Sequence, residues 1–222
     1  MSNEKFQTEL FDQFARIGKV LSSGYRLAML DFLAQGERSV EALAKLTGLT
    51  PANTSQHLQQ LRQAGMVVAQ KVGLHVYYRL AGDSIVRLLA ALHAVGQEHL
   101  AEVDKLTRLY LESKDDLEPV PAEELMRRAK KGMVTVVDVR PADEYAAGHI
   151  RGAINVPVAE LKKRLGEIPQ NHEIVAYCRG PYCLMSYEAV ATLRKKGVKA
   201  RRLKEGYPDW RSAGLPVDDT RK

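Results

Sequence analysis

Two cysteines occur in the 222 residues, and both lie in one six-residue stretch, Cys178-Arg179-Gly180-Pro181-Tyr182-Cys183. The stretch joins an apolar, strand-like run, Glu173-Ile174-Val175-Ala176-Tyr177, to a helix-like run that begins near Leu184. A strand that ends on Cys and turns through Gly and Pro into a helix aims backbone N–H groups and the positive helix end at the sulfur, and such surroundings favour a thiolate. Two small apolar residues packed together would give the same spacing. The elements around the stretch have to decide between chemistry and packing.

Those elements alternate. The spacing of apolar residues predicts a helix over 123–131, a buried β-branched strand over 133–139, a short strand over 153–156 and a helix over 158–165. A strand at 174–178, a helix at 185–196 and a strand at 200–203 follow. Alternating strands and helices imply a small parallel α/β sheet, in which ligands bind beyond the carboxyl ends of the strands. Cys178 falls at such an end.

The residues VVDVRPADEYAAGHIRGAINVP (136–157) and LKEGYPDWRSAGLPV (203–217) bracket this unit, and the region 119–218 resembles the rhodanese domain, a sulfurtransferase fold. The resemblance implies that Cys178 is the nucleophile, taking sulfane sulfur from a donor of the thiosulfate or polysulfide class as a persulfide, with no cofactor. It also implies that the backbone of Arg179, Gly180, Pro181, Tyr182 and Cys183 cradles the anion, as converging N–H donors at a helix start can. Asp138 and Arg140 match the signature strand of that family, and Arg140 is expected to pair with Glu144 and pin the loop. Gly148-His149-Ile150 and Trp210 match as turn and packing residues. Two departures stand out. Glu205-Gly206 replaces a usual pair of glycines, which is expected to alter a turn. Cys183 ends the loop where other members vary, and a second thiol there could attack a persulfide on Cys178, releasing sulfide and leaving a disulfide. That reaction depends on the Cβ separation. The loop is one residue shorter than those of related phosphatases and arsenate reductases and lacks their closing arginine, so phosphate hydrolysis and oxyanion reduction are not expected.

Composition sets the frame. A chain that is 45% hydrophobic and 27% charged can bury a core and is long enough for two domains. Met1-Ser2-Asn3-Glu4-Lys5 carries no basic segment leading into an apolar one, and the most apolar run, 84–96, is broken by Arg87 and His93. No export, no membrane span and a cytoplasmic location are expected, which makes two cysteines more plausibly reactive than structural. The net charge is +6. It lies mostly in the later half, with 20 Lys and Arg against 15 Asp and Glu over 116–222, compared with 13 against 12 over 1–115. The local pattern says more: residues 42–82 contain no acid yet carry Lys45, Arg62, Lys71 and Arg79, which suits a phosphate-facing surface.

The polar stretch Glu112-Ser113-Lys114-Asp115-Asp116-Leu117-Glu118-Pro119-Val120-Pro121 reads as a linker. It divides the chain into an expected domain over 1–112, a linker over 113–121 and a second domain over 122–222. Before the linker the pattern is mainly helical. Phe6, Leu10, Phe14 and Ile17, then Leu27, Leu30 and Leu33, recur at helical spacing. Ser39 is a candidate N-cap for a short helix that stops at Gly48. Thr50-Pro51 then supplies an N-cap and a first-turn proline for a helix to Ala64, closed by Gly65. Thr54, Leu58 and Leu61 form the inward stripe of that helix, while Asn53, Ser55, Gln56, His57, Gln59 and Gln63 offer hydrogen-bonding groups with hardly any full charge. Asn and Gln pair with adenine edges, and Ser contacts base or phosphate. Strands over 66–70 and 75–80, joined by Lys71-Val72-Gly73-Leu74, complete a hairpin.

This layout is that of a winged helix, whose second helix enters the major groove while the wing grips backbone. Residues 16–82, with LTPANTSQHLQQLRQAGMVVAQKVGLHVYYRLAG at their heart, resemble the ArsR/SmtB family of winged-helix repressors. The resemblance implies a homodimer on an inverted-repeat operator, dimerised through a long helix over 83–111, with Asn53, Ser55, Gln56, His57, Gln59, Arg62, Lys71 and Arg79 facing double-stranded DNA. Metal-sensing members carry cysteines where this chain has Ser39-Val40-Glu41-Ala42-Leu43, and the carboxylate and histidine alternative is met only by Asp83, His93, Glu98 and His99 at other spacings, so no metal site is expected. The sequence therefore reads as a multidomain regulator: a mainly-α winged helix-turn-helix followed by an α/β rhodanese-like parallel sheet that serves as its sulfur-responsive input. The alternative is a working thiosulfate or persulfide sulfurtransferase whose DNA-binding half controls its own expression.

Overall fold

The computed structural model describes residues 3–115 and 117–218; Asp116 of the expected linker, and residues 1–2 and 219–222 of the expected domains, lie outside the described residues. The chain divides into two compact units, Met1–Leu89 and Ala90–Lys222.

The first unit runs α1 (Asn3–Leu21), α2 (Gly24–Ala34), β1 (Arg38–Ser39), α3 (Val40–Thr47), α4 (Pro51–Gln63), β2 (Val67–Val72), β3 (His75–Leu80) and the opening of α5 (Asp83–His99). The caps form as the sequence predicts. Ser39 Oγ accepts from Ala42 N at 3.2 Å, Thr50 Oγ1 accepts from Asn53 N at 3.3 Å, and α3 ends on left-handed Gly48. Leu30 and Met29 of α2, Leu43 of α3, and Leu58 and Leu61 of α4 are fully buried together, each contributing about 1.5–3 kcal/mol of apolar burial. The ladder between β2 and β3 continues to Val72 opposite His75, so the turn is two residues, Gly73-Leu74, rather than the four expected; Gly73 takes φ 59°. β1 adds a third antiparallel strand beside β3, a two-residue element too short to announce itself.

The predicted long helix over 83–111 is broken. α5 stops at His99, Leu100 takes extended dihedrals (φ −107°, ψ 100°), and α6 (Ala101–Thr107) restarts the chain before a π-helical turn at Arg108–Glu112. Leu100 has no side-chain acceptor with which to cap, so the break carries none of the usual signals.

The second unit continues with α7 (Ala122–Lys130), β4 (Val134–Asp138), α8 (Ala142–Ala147), β5 (His149–Ile150), β6 (Ile154–Asn155), α9 (Leu161–Arg164), β7 (Glu173–Tyr177), α10 (Leu184–Lys195), β8 (Ala200–Arg202), α11 (Tyr207–Ser212) and β9 (Val217–Asp218). Its sheet is parallel throughout, in the order β6-β4-β7-β8. Alternate residues of β7 feed two cores, Ile174 and Ala176 on the side of α10, Val175 and Tyr177 on the other. Cys178 continues the α10 side. The expected linker is docked onto this unit. Asp115 is buried between Arg194 Nη1 at 2.6 Å and Arg202 Nε at 2.7 Å, and Val120 bridges to Leu203.

Candidate functional site

Beyond the end of β7 the chain makes the cysteine loop. Cys183 N donates to Gly180 O at 3.1 Å, which tightens the turn, and Tyr207 N donates to Cys178 O at 3.1 Å, which ties the loop to α11. Cys178 is 2% exposed. Its Sγ lies 3.4 Å from Cys183 O, 3.7 Å from Gly180 O and 3.2 Å from Ser186 Oγ, whose hydroxyl donates to Cys183 O. Cys183 is partly exposed and is the N-cap residue of α10. The sequence reading missed Ser186, although its position in the first turn of the helix that follows the loop places it under the sulfur.

Electrostatics separate the two thiols. Burial pushes the Cys178 thiol well up, and the neighbouring Cys183 raises it further. The Cys183 thiol falls to about 7, drawn down first by its hydrogen bond with Cys178 and then by the N–H groups of Arg179 and Met185. Of the two thiols, the outer one, Cys183, is the more acidic. Burial sets the inner thiol apart, while backbone N–H groups reach the outer one. Both cysteines are free thiols.

Beneath the loop, Asp138 and Arg140 are both fully buried and paired, with Nη2 to Oδ2 at 2.6 Å and Nε to Oδ1 at 3.0 Å. Arg140 also donates to Gly148 O at 2.8 Å, and its guanidinium lies 4.3 Å from the Tyr207 ring centroid. Glu144, the expected partner of Arg140, carries a two-pronged pair with Arg179, at 2.7 Å to Nη2 and 3.0 Å to Nε. Arg140 is anchored within its own strand end by Asp138, and Glu144, which also attracts the Arg140 charge as expected, draws the Arg179 side chain to α8. Two glycines let these layers meet. A Cβ on Gly206 would stand 2.2 Å from Arg179 O, and one on Gly148, at φ 149°, 2.2 Å from Tyr207 Oη. Glu205, the departure beside Gly206, accepts from Ala122 N at 3.0 Å and so caps α7. His149 is stacked on Tyr145 at 3.7 Å, and Trp210 Nε1 donates to Pro216 O at 2.9 Å, both packing roles.

Within the same unit the loop meets the later part of α5. Tyr182 Oη donates to Gln97 Oε1 at 3.0 Å, and the His93 ring stands edge-on to Tyr182 at 5.4 Å. Burial holds the His93 imidazole below its ordinary value against the pull of Asp209. No residue pattern announced this contact, since the partners are 85 positions apart.

The candidate nucleic-acid face lies in the first unit. On α4, Asn53, Gln56 and Gln59 are exposed, Ser55 and His57 half-buried, while Thr54, Leu58 and Leu61 face the core as expected. Arg62, Lys71 and Arg79 are exposed. The His57 ring sits 5.9 Å from that of Tyr25, and its buried Nδ1 has no hydrogen-bond partner among the described residues. Exposed Phe6, Phe11 and Phe14 leave the apolar face of α1 open to solvent. No described helix is long and apolar enough to cross a membrane.

Comparison with known proteins divides the chain in the same way. Residues 24–68 match the family described as bacterial regulatory protein, arsR family, and residues 121–213 match the rhodanese-like domain. An HTH-type transcriptional regulator of Mycobacterium tuberculosis, Rv0324, is 50% identical over 95% of this chain and 92% of its own. A sulfurtransferase of Allochromatium vinosum is 34% identical over 44% of this chain and 92% of its own. Among solved structures, the homodimeric winged helix-turn-helix DNA-binding domain of Mb0332 from Mycobacterium bovis is 46% identical, covers 46% of this chain and 93% of its own, and has a TM-score of 0.42.

Proposed function

Because the chain belongs to the arsR family of helix-turn-helix transcriptional regulators and joins that domain to a rhodanese-like one, we propose that it is a cytoplasmic, dimeric repressor whose operator affinity falls when Cys178 carries sulfane sulfur. In this reading residues 1–112 bind DNA and dimerise, 113–121 link, and 122–222 sense. The observation that carries it is the hydrogen bond from Tyr182 of the cysteine loop to Gln97. Gln97 stands on α5, and the same helix gives Ile85, Val86 and Leu89 to the core on which α4 is packed. A sulfur atom added inside the loop needs about 2 Å of new bond length, and the loop can yield toward α5. Adenine-reading amides at Asn53, Gln56 and Gln59 and phosphate contacts from Arg62, Lys71 and Arg79 supply the DNA side of the reading. The solvent-facing Phe6, Phe11 and Phe14 support the dimer.

The test is a gel shift on duplex DNA that the protein has selected from a random-sequence pool, with and without polysulfide, on wild type and Cys178→Ser. Release of wild type alone is expected. Unchanged affinity beside brisk thiocyanate formation from thiosulfate would favour the second reading, a working sulfurtransferase, which the likeness to the Allochromatium vinosum protein supports.

A further inference from the structure

The geometry points to Ser186 as a catalytic residue of the cysteine loop, whose hydroxyl turns its proton onto the Cys178 sulfur when that thiol ionises to attack a sulfur donor. This role rests on the reading of Cys178 as the residue that carries sulfane sulfur. Ser186, Ala189, Val190 and Leu193 share the buried face of α10, and the last three join the core to which Cys178 belongs. Packing alone favours an apolar side chain at the first of these positions, because a buried hydroxyl is costly unless it finds partners. Ser186 is 3% exposed, and it has partners. Its hydroxyl donates to Cys183 O at 3.2 Å, and its Oγ lies 3.2 Å from Cys178 Sγ. Gly180 O and Cys183 O also lie against that sulfur, at 3.7 and 3.4 Å. Carbonyl oxygens accept from a thiol but have no proton to offer a thiolate. Of these three neighbours only the hydroxyl has one.

One rotation of the hydroxyl separates the two states of the sulfur. With Cys178 protonated, its S–H donates to Ser186 Oγ while the Ser186 O–H donates to Cys183 O. With Cys178 ionised, the O–H swings to Sγ and makes a charge-assisted bond, stronger than the one it leaves. Burial, which raises the Cys178 thiol, is opposed in part by this hydroxyl. The reaction balances without an oxidant. The Cys178 thiolate attacks the outer sulfur of thiosulfate, the donor S–S bond breaks, and sulfite leaves with the electron pair; the proton lost by the thiol ends on it as hydrogensulfite. The charge then sits on the terminal sulfur of the Cys178 persulfide, one bond beyond Sγ, and the hydroxyl returns to Cys183 O. Ser186 therefore assists the attack rather than the binding of the donor.

The experiment uses full-length wild type, Ser186→Ala, Ser186→Gly and Ser186→Thr, with circular dichroism and urea unfolding to verify the fold of each. Initial rates of sulfur loading at neutral pH are measured over a range of thiosulfate or inorganic tetrasulfide concentrations, quenched with iodoacetamide and mapped by peptide mass spectrometry. Trypsin cuts after Arg179, so Cys178 and Cys183 are read on separate peptides. The alanine and glycine variants are expected to load Cys178 at about a tenth of the wild-type maximal rate with the half-saturating donor concentration unchanged, the loss that follows from removing one hydrogen bond to a charged group. Threonine keeps the hydroxyl and should retain most of the rate. Alkylation of Cys178 by iodoacetamide, with no donor present, should fall by the same factor in the alanine and glycine variants. Wild-type rates in those two variants, a raised half-saturating concentration at an undiminished maximum, or a loss in threonine equal to that in alanine overturns the inference. Wild type that takes no sulfur from either probe overturns the sulfur reading itself, and the alkylation rates, measured without a donor, still decide the role of Ser186.

Discussion

Cys178 and Cys183 are the same residue type five positions apart, and the fold gives them opposite acidities. The inner thiol pays for its enclosure in low-dielectric surroundings, while the outer one is drawn down first by Cys178 and then by the N–H groups of Arg179 and Met185. The iodoacetamide reaction of Cys183 is therefore expected to rise with pH and reach half its plateau near 7, since only the thiolate reacts; the Cys178 reaction should lag over the whole range. A single midpoint near the ordinary thiol value for both would contradict this. Gly206 is a second residue whose role is geometric, since a Cβ there would meet Arg179 O at 2.2 Å. Gly206→Ala should push the cysteine loop out of place, costing about 1–3 kcal/mol in urea unfolding and abolishing sulfur uptake. Type and spacing made Cys178, Cys183, Asp138 and Arg140 legible as a group. Ser186 and the pairing of Glu144 with Arg179 were not, because neither partner is exceptional until the sheet brings α8 and α10 to the same strand end.

Elements that carry strong local signals were readable and those held by tertiary contacts were not. α3 and α4 have N-caps, a first-turn proline or a left-handed glycine, and a periodic apolar stripe, so their bounds follow from sequence. β1, β5 and β9 are two residues each and exist only because a partner strand lies alongside. The break at Leu100 belongs to the same class. The segment read as a linker is another case, for its clustered acids suggested solvent, yet Asp115 is buried between two arginines. Asp115→Ala should lower stability by about 3 kcal/mol, because it leaves Arg202 and Arg194 without their shared counter-charge. Chemical denaturation followed by circular dichroism measures it, and a loss under 1 kcal/mol, the range of an exposed pair, would show the contact to be superficial. On α4 and the hairpin, Arg62→Ala or Lys71→Ala should weaken DNA binding evenly across sequences and flatten its salt dependence by about one unit of slope, whereas Asn53→Ala should relax base preference. Binding titrations at several salt concentrations separate the two behaviours.

For the molecule as a whole, the decisive question is whether the state of the cysteine loop reaches α4, the helix proposed to read DNA. Gln97 accepts from Tyr182 Oη. Gln97→Ala is accordingly expected to keep both sulfur loading and basal operator binding while blunting the polysulfide response severalfold; an undiminished response in gel shifts would place the coupling elsewhere. The sequence by itself determined that two domains are joined, that one has the caps and amide-rich helix of a DNA reader, and that the other ends a strand on a cysteine, because these depend on residue type at short spacing. Only the tertiary structure decided which of the two thiols is enclosed, which charges pair beneath them, and that Tyr182 meets Gln97. Burial and electrostatic pairing are set by residues far apart in the chain, and no local pattern encodes the distance between them.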